Sequence, residues 1–203
     1  FGLTGGVSST SEMATVVVND DNINEIDETF TVMLANAGGG QRSQVSIDAA
    51  NDDGTATIND NDSVEISVDD IMAAEGGTFT FTVSLDNPSS AAVTVDLSTA
   101  DSTATLAGSD YTQITNQTVT FALTSGVSST SETVTVTAND DNIKEANETF
   151  FANLTNVGGG NRSAVSIGDN QGTAKVNANE SVVIRMHAAI NAAEDDTFAF
   201  TVS

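Results

Sequence analysis

The side chains of this chain that have chemistry to offer are carboxylates, and they come in groups. Asp20, Asp21, Glu25 and Glu28 fall within one short stretch, and Asp60, Asn61 and Asp62 follow further on. Asp140, Asp141, Glu145 and Glu148 repeat the first spacing. Around them stand Glu75 before Gly76-Gly77, Asp110 before Tyr111, and the stretch Asn177-Ala178-Asn179-Glu180. Carboxylates converging on one loop region repel one another unless a cation sits among them. Ca²⁺ suits such a set, because it accepts about 6–8 oxygens from carboxylates, amides and main-chain carbonyls in flexible geometry. With no cysteine and a single histidine, Zn²⁺ and Cu²⁺ are poor candidates. The spacing is not that of an EF-hand loop. The Asn-Asp-Asp-Asn segments at 19–22 and 139–142 also read as Asx-rich turns, whose side chains bond their own backbone. On residue types and spacing alone, both readings stand.

Other chemistry is poorly supported. His187 is the only histidine and has no serine or cysteine partner in a nucleophile motif, which argues against a catalytic triad. Paired carboxylates can hydrolyse glycosides, but a sugar cleft needs aromatic walls, and the chain has no Trp and one Tyr. The Gly-rich loops at 38–43 and 158–163 carry Arg42 and Arg162; a flexible hairpin explains them better than an anion site. No enzymatic activity is expected.

Asp and Glu number 29 against 5 Lys and Arg, for a net charge of −24. Such a surface repels nucleic acid and anionic lipid and attracts cations. Solubility, or life in a salty medium, accounts for the charge equally well. Without cysteine there is no disulfide framework, so bound metal or neighbouring modules are the remaining sources of extra stability. No apolar run approaches the length of a membrane span, and no insertion is expected from this segment.

The elements that must position these acids are strands. Val64, Ile66 and Val68 alternate with polar residues, as do Phe79, Phe81, Val83 and Leu85, and then Val93, Val95 and Leu97. Short Thr- and Val-rich runs punctuated by Gly, Asn, Asp and Ser mark an antiparallel β-sandwich. Strands are expected near 64–68, 78–85, 92–98, 117–122, 132–138, 149–155, 163–167 and 172–177.

The chain also repeats itself. Residues 1–48 return as 121–168 with about two-thirds of positions identical, and the match resumes from Ser63 at Ser181 and from Thr78 at Thr197. A self-match at this period means a tandem array of one module. Residues 1–62 are expected to be the later part of one module, 63–180 a complete module, and 181–203 the first strands of a third. The junction Asn59-Asp60-Asn61-Asp62-Ser63 contains no linker, so modules should stack end to end with restricted hinge freedom. Partial modules leave strand edges unpaired. They need a preceding segment of the same chain or strands from an identical one.

The order Glu-Gly-Gly before TFTFTVSLDNP, then Gly108-Ser109-Asp110-Tyr111, then DDNIKEANETF from Asp140, then an acid-rich strand end resembles the Calx-beta domain. That family is best known from regulatory domains of sodium–calcium exchangers and recurs in tandem in large bacterial surface proteins. The resemblance implies tandem immunoglobulin-like sandwiches, all-β, with Ca²⁺ bound where modules meet. Carried over by motif, the ligands of the central module fall on Glu75, Asp110, Asp140, Asp141, Glu145 and the Ile143 carbonyl, with Glu148 nearby. In the first module they fall on Asp20, Asp21, Glu25, Asp60 and Asp62. The closing Asp triplet of the family falls on Ala178-Asn179-Glu180 in the central module. Ala178 cannot coordinate, so the first module is expected to hold the better site.

The expected function is a calcium-binding structural repeat of a long extracellular or cell-surface protein, with Ca²⁺ at the junctions stiffening a rod, stalk or fibre. Its partners would be neighbouring modules of the same or identical chains, joined in one variant into a homopolymer by strand exchange. An adhesin binding glycan or another surface is the rival reading and requires an aromatic or shaped patch. A spacer within a secreted enzyme is a further one.

Overall fold

The computed structural model of the chain describes residues 3–4, 7–38, 45–161 and 164–185. Arg42, Arg162, His187 and most of the expected third module lie outside the described residues. Among those described, the regular elements are all strands. They begin with β1 (Leu3–Thr4), β2 (Val7–Ser8), β3 (Glu28–Met33) and β4 (Asp53–Ile58). Next come β5 (Val64–Val68), β6 (Ile71–Ala74), β7 (Thr78–Leu85) and β8 (Val93–Asp101). The series closes with β9 (Gln117–Phe121), β10 (Leu123–Thr124), β11 (Val127–Ser128), β12 (Ser131–Thr137), β13 (Glu148–Gly159), β14 (Val165–Asp169) and β15 (Gln171–Asn177). The fold is an all-β sandwich. Its two main sheets run β12-β7-β5-β14 and β6-β15-β13-β8-β9.

Period-two patterning produces the core directly. Phe79, Phe81, Val83 and Leu85 of β7 face inward, opposite Val93, Val95 and Leu97 of β8 and Phe150, Ala152 and Leu154 of β13. Phe150 ties the sheets together. Its ring meets Phe79 edge-on at 5.3 Å and Phe81 edge-on at 6.2 Å, and stacks on Tyr111 at 4.4 Å. The clustered core draws on residues from Val64 to Val176.

The first run of the core is split between the sheets. β5 pairs parallel with β14, whereas β6, only a short step on, pairs parallel with β15 in the other sheet. Asp69 and Asp70 make the crossover. Asp69 Oδ1 accepts from the Thr82 amide at 2.7 Å, and Asp70 Oδ1 accepts from the Thr173 amide at 2.6 Å. Each carboxylate thus anchors the chain to a different sheet. Gly172 lies where a Cβ would come within 2.3 Å of the Asp69 carbonyl, so the crossing needs a residue without a side chain.

The expected strands are present with shifted ends; the short β10–β11 pair was not expected, and two further features differ from the sequence reading. The strand β6 went unread, because Ile-Met-Ala-Ala shows no clear alternation. Gly158 and Gly159, read as hairpin, instead extend β13 past a bulge to pair with Thr94 and Val93. Gly159 permits this: its φ is +74°, and a Cβ there would stand 2.0 Å from the Ala92 carbonyl.

Before Val64, β3 and β4 form an antiparallel pair with registers Glu28↔Ile58 to Met33↔Asp53. Here Val32, Met33 and Leu34 are exposed, as are Met13 and Val17. No second sheet covers them among the described residues. Residues 181–185 form no strand.

Candidate metal centre

Strand register collects the acids at one end of the sandwich. β6 and β15 run parallel with Ala74 opposite Asn177, so Glu75 and the 178–180 segment leave the sheet side by side. β13 runs antiparallel to β15 and starts there, with Glu148 opposite Val176. β8 ends there as well, because Asp101 faces Phe150. The loop after β8 returns to Tyr111, which bridges Ala138 just beyond the end of β12. Six chain segments therefore meet at one rim.

Local hydrogen bonds set the backbone of that rim. Glu75 N donates to Asn177 O at 3.0 Å, and Gly76 N donates to Asn139 O at 3.3 Å. Asn139 N in turn donates to Asp110 O at 2.9 Å. Asp110 Oδ2 accepts from the Thr105 amide at 2.6 Å, closing its own loop. Tyr111, stacked on Phe150, sends its hydroxyl to Asp101 Oδ1 at 2.7 Å. Burial and this partner push the Tyr111 hydroxyl well above its ordinary range, so it stays protonated and acts as a strut.

One carboxylate oxygen from each of Asp110, Glu145 and Glu148 lies within 4.8 Å of the others. They share a niche of about 10 Å³ with Glu75, Val176 and Ala178, room for a single small ion or water. Glu75 is part of that lining. Its carboxyl is pushed up to about 7, by burial first, then by the Glu180 charge and a hydrogen bond shared with Glu180, then by Asp141 and Glu145. Glu148 is raised by burial, by Asp110 and by Glu145. One oxygen of Glu180, Oε2, is enclosed without a hydrogen-bond partner. Carboxyls crowded in this way are poorly tolerated by themselves.

The residues expected as ligands in this module do not all join one group. Asp110 and Glu145 converge with Glu148, while Glu75 faces Glu180, Asp141 and Glu145. Asp140 sits against Gly76 and accepts from Asn179 Nδ2 at 3.3 Å. Asp141 Oδ1 accepts from the Ile143 amide at 2.6 Å, an Asx turn, and the Ile143 side chain is exposed. The Asx-turn reading of the Asn-Asp-Asp-Asn segment thus holds at its second Asp, whose charge also acts on Glu75. Glu180 was missing from the sequence-derived ligand set, and Glu148 stood only beside it. The Glu180 carboxyl reaches that of Glu75 and shares a hydrogen bond with it. The signal available was its position, aligned with Asp62 of the earlier copy.

The earlier copy repeats the frame. Asp21 Oδ1 accepts from the Ile23 amide at 2.9 Å, matching the Asp141 turn. Asp27 Oδ1 accepts from the Asp60 amide at 3.1 Å, as Asn147 Oδ1 does from the Ala178 amide at 3.2 Å. Asp20, Asp21, Glu25, Glu28, Asp60 and Asp62 all line one open cleft of about 420 Å³. The five expected ligands of this copy are therefore brought together. Glu25 is raised by burial and then by Asp21, Glu28, Asp60 and Asp62. Asp62 is raised by burial and then by Asp60, Asp20 and Asp21.

Among the described residues, the polar side chains that line both sites offer oxygen donors, with no sulfur and no imidazole. That donor set fits a hard cation of flexible coordination such as Ca²⁺ and fits no soft metal. The Calx-beta domain model matches residues 6–62 and 57–182. The chain belongs to the Calx-beta family. Its two matched segments meet at the acid-rich junction around Asp60 and Asp62. Solved structures similar to this chain include the apo form of the Calx CBD1 domain, at 17% identity over 59% of this chain and 100% of that one, with a TM-score of 0.48. CBD12 from CALX1.2 is similar at 21% identity over 56% of this chain and 44% of that one, also at 0.48. The Calx CBD2 domain is similar at 12% identity over 55% of this chain and 85% of that one, at 0.47. Family membership rests on the domain match and not on these likenesses. No curated protein sequence matches the chain.

Proposed function

We propose that this chain is a non-catalytic, calcium-binding structural repeat of a long extracellular or cell-surface protein, with Ca²⁺ at the module ends stiffening a rod, stalk or fibre. The observation that carries this reading is the convergence of Asp110, Glu145 and Glu148 on a niche that Glu75 also lines, with the Glu75 and Glu180 carboxyls crowded together beside it. In the central module Glu75, Asp110, Glu145, Glu148 and Glu180 would hold the ion. In the earlier one Asp20, Asp21, Glu25, Asp60 and Asp62 would do so. The ion supplies positive charge and draws loops from several strands onto one point. Repetition of nearly identical copies suits mechanical use. The uncovered apolar residues Met13, Val17, Met33 and Leu34 support the variant in which strands of an identical chain complete the earlier module.

The test is thermal unfolding of the chain in calcium and in chelator, followed by the fluorescence of Tyr111, its only tyrosine. The midpoint is expected to rise with free calcium, with about 2.7 kcal/mol gained at a hundredfold excess over the dissociation constant. An unchanged midpoint removes the metal. Sedimentation of the same samples tests strand exchange, which predicts concentration-dependent polymers; monomers throughout refute it.

A further inference from the structure

Among the residues before Val64 whose burial is described, one alone is fully buried, and it is polar: Asn24, at 0% exposure. What buries it is the following module. Asn24 N donates to Pro88 O at 2.9 Å, and Asn24 O accepts from Ser90 N at 3.0 Å. The same oxygen accepts from Ser89 Oγ and Asn161 Nδ2, each at 3.3 Å. In the side chain, Oδ1 accepts from Asn161 N and Ser89 Oγ, both at 3.3 Å. The remaining donor, Nδ2, returns to its own module and binds Asp62 O at 3.0 Å. Main chain and amide are thus all satisfied, as a buried polar residue requires.

The receiving surface is built for this. Ser89 is itself 0% exposed, and it is braced by Ser128, whose Oγ accepts from Ser89 N at 3.0 Å and whose N donates to Ser89 O at 2.8 Å. Ser89 and Asn24 form an isolated parallel bridge. The loop that carries the chain from β7 in one sheet to β8 in the other, and Gly160–Asn161 just past β13, make the two walls.

We propose that Asn24 is the pin of the joint between the two modules, and that Pro88, Ser89, Ser90 and Asn161 are its socket on the module that follows. An asparagine is required there because the site asks for a side-chain acceptor toward Asn161 N and a donor toward Asp62 O. Aspartate lacks the donor, and alanine lacks both. The aligned residue of the later copy is Lys144. Lysine offers no acceptor, and burying its ammonium unpaired is costly. By this chemistry an Asn copy can form the pin and a Lys copy cannot, which would make stiffness vary along the array with this position. The groups that make the pin are all neutral.

The experiment uses the full chain in chelator, which separates it from the calcium reading. Amide exchange is measured at Ser90 and Asn161, with Val95 in β8 as the internal reference. Both amides are expected to be protected in the parent chain and to exchange at least tenfold faster in Asn24→Lys and Asn24→Ala, with Val95 unchanged. Spin labels placed at the exposed Thr55→Cys and Thr120→Cys are expected to give a narrow distance distribution in the parent and a broad one in Asn24→Lys. Unprotected Ser90 and Asn161 amides in the parent overturn the proposal, as does equal protection with an equally narrow distribution in the variants. Should a variant also lose protection at Val95, the parent's two amides and its label distribution decide the matter.

Discussion

Replacing Glu75 with glutamine should stabilise the ion-free protein and weaken its response to calcium. Glu75 sits where β6 ends, held at about 7 against an ordinary 4.5 by burial and by Glu180, Asp141 and Glu145. At 1.36 kcal/mol for each tenfold change in proton affinity, the elevation corresponds to an upper bound of about 3 kcal/mol. Solvent at this partly open rim screens the charges, which leaves about 1 kcal/mol. The sign depends on pH. Below about 4.5 the glutamate is protonated in both the folded and the unfolded chain and costs nothing. Between there and about 7 the folded protein keeps a proton that the unfolded chain has lost, so ion-free stability falls as pH rises. Above 7 the whole cost is present. Glu75→Gln removes it and leaves an amide able to donate to Glu180. At pH 8 in chelator its melting midpoint, read by Tyr111 fluorescence, is expected about 4 °C above the parent. At pH 4.5 the two midpoints should coincide. In saturating calcium the parent should gain more than the variant, which has lost a charged ligand. A variant that melts no higher than the parent at pH 8, or whose advantage is the same at both pH values, would refute this account of the cluster.

Phe150→Ala opens the junction of both sheets at a ring that touches Phe79, Phe81 and Tyr111, and should cost about 3–5 kcal/mol, read as a lowered guanidinium midpoint. Gly76→Ala places a Cβ 3.0 Å from that of Asp140 at a residue with φ of +72°. It should cost about 1 kcal/mol in stability and also lower calcium affinity in titration calorimetry, since Asp140 must shift. A loss of stability with unchanged affinity would separate Asp140 from the metal centre.

Much of this protein is legible in one dimension. Alternation at Val64-Ile66-Val68 and at Phe79-Phe81-Val83-Leu85 is a local property, because successive side chains of a strand face opposite sides whatever the strand pairs with. The repeat declares itself by identity, and the Asn-Asp-Asp-Asn segments declare their turns because the Asx bond spans two residues. The acid groups could be found for the same reason.

What tertiary structure alone decided is which of those acids meet. Glu75 and Glu180 face each other because β6 and β15 run parallel with Ala74 opposite Asn177, and parallel register between distant segments leaves no mark in either one. The crossover at Asp69-Asp70, which frees β6 to join that sheet, reads in sequence as two more surface acids. Asn24 is the clearest case. Its neighbours in sequence are half-buried or exposed loop residues, and its partners are Pro88, Ser89, Ser90 and Asn161 of the next module together with the distant Asp62 carbonyl of its own. Composition and periodicity set what each strand buries. Contacts between residues far apart in the chain determine which polar groups are enclosed, since enclosure needs walls that no local pattern contains.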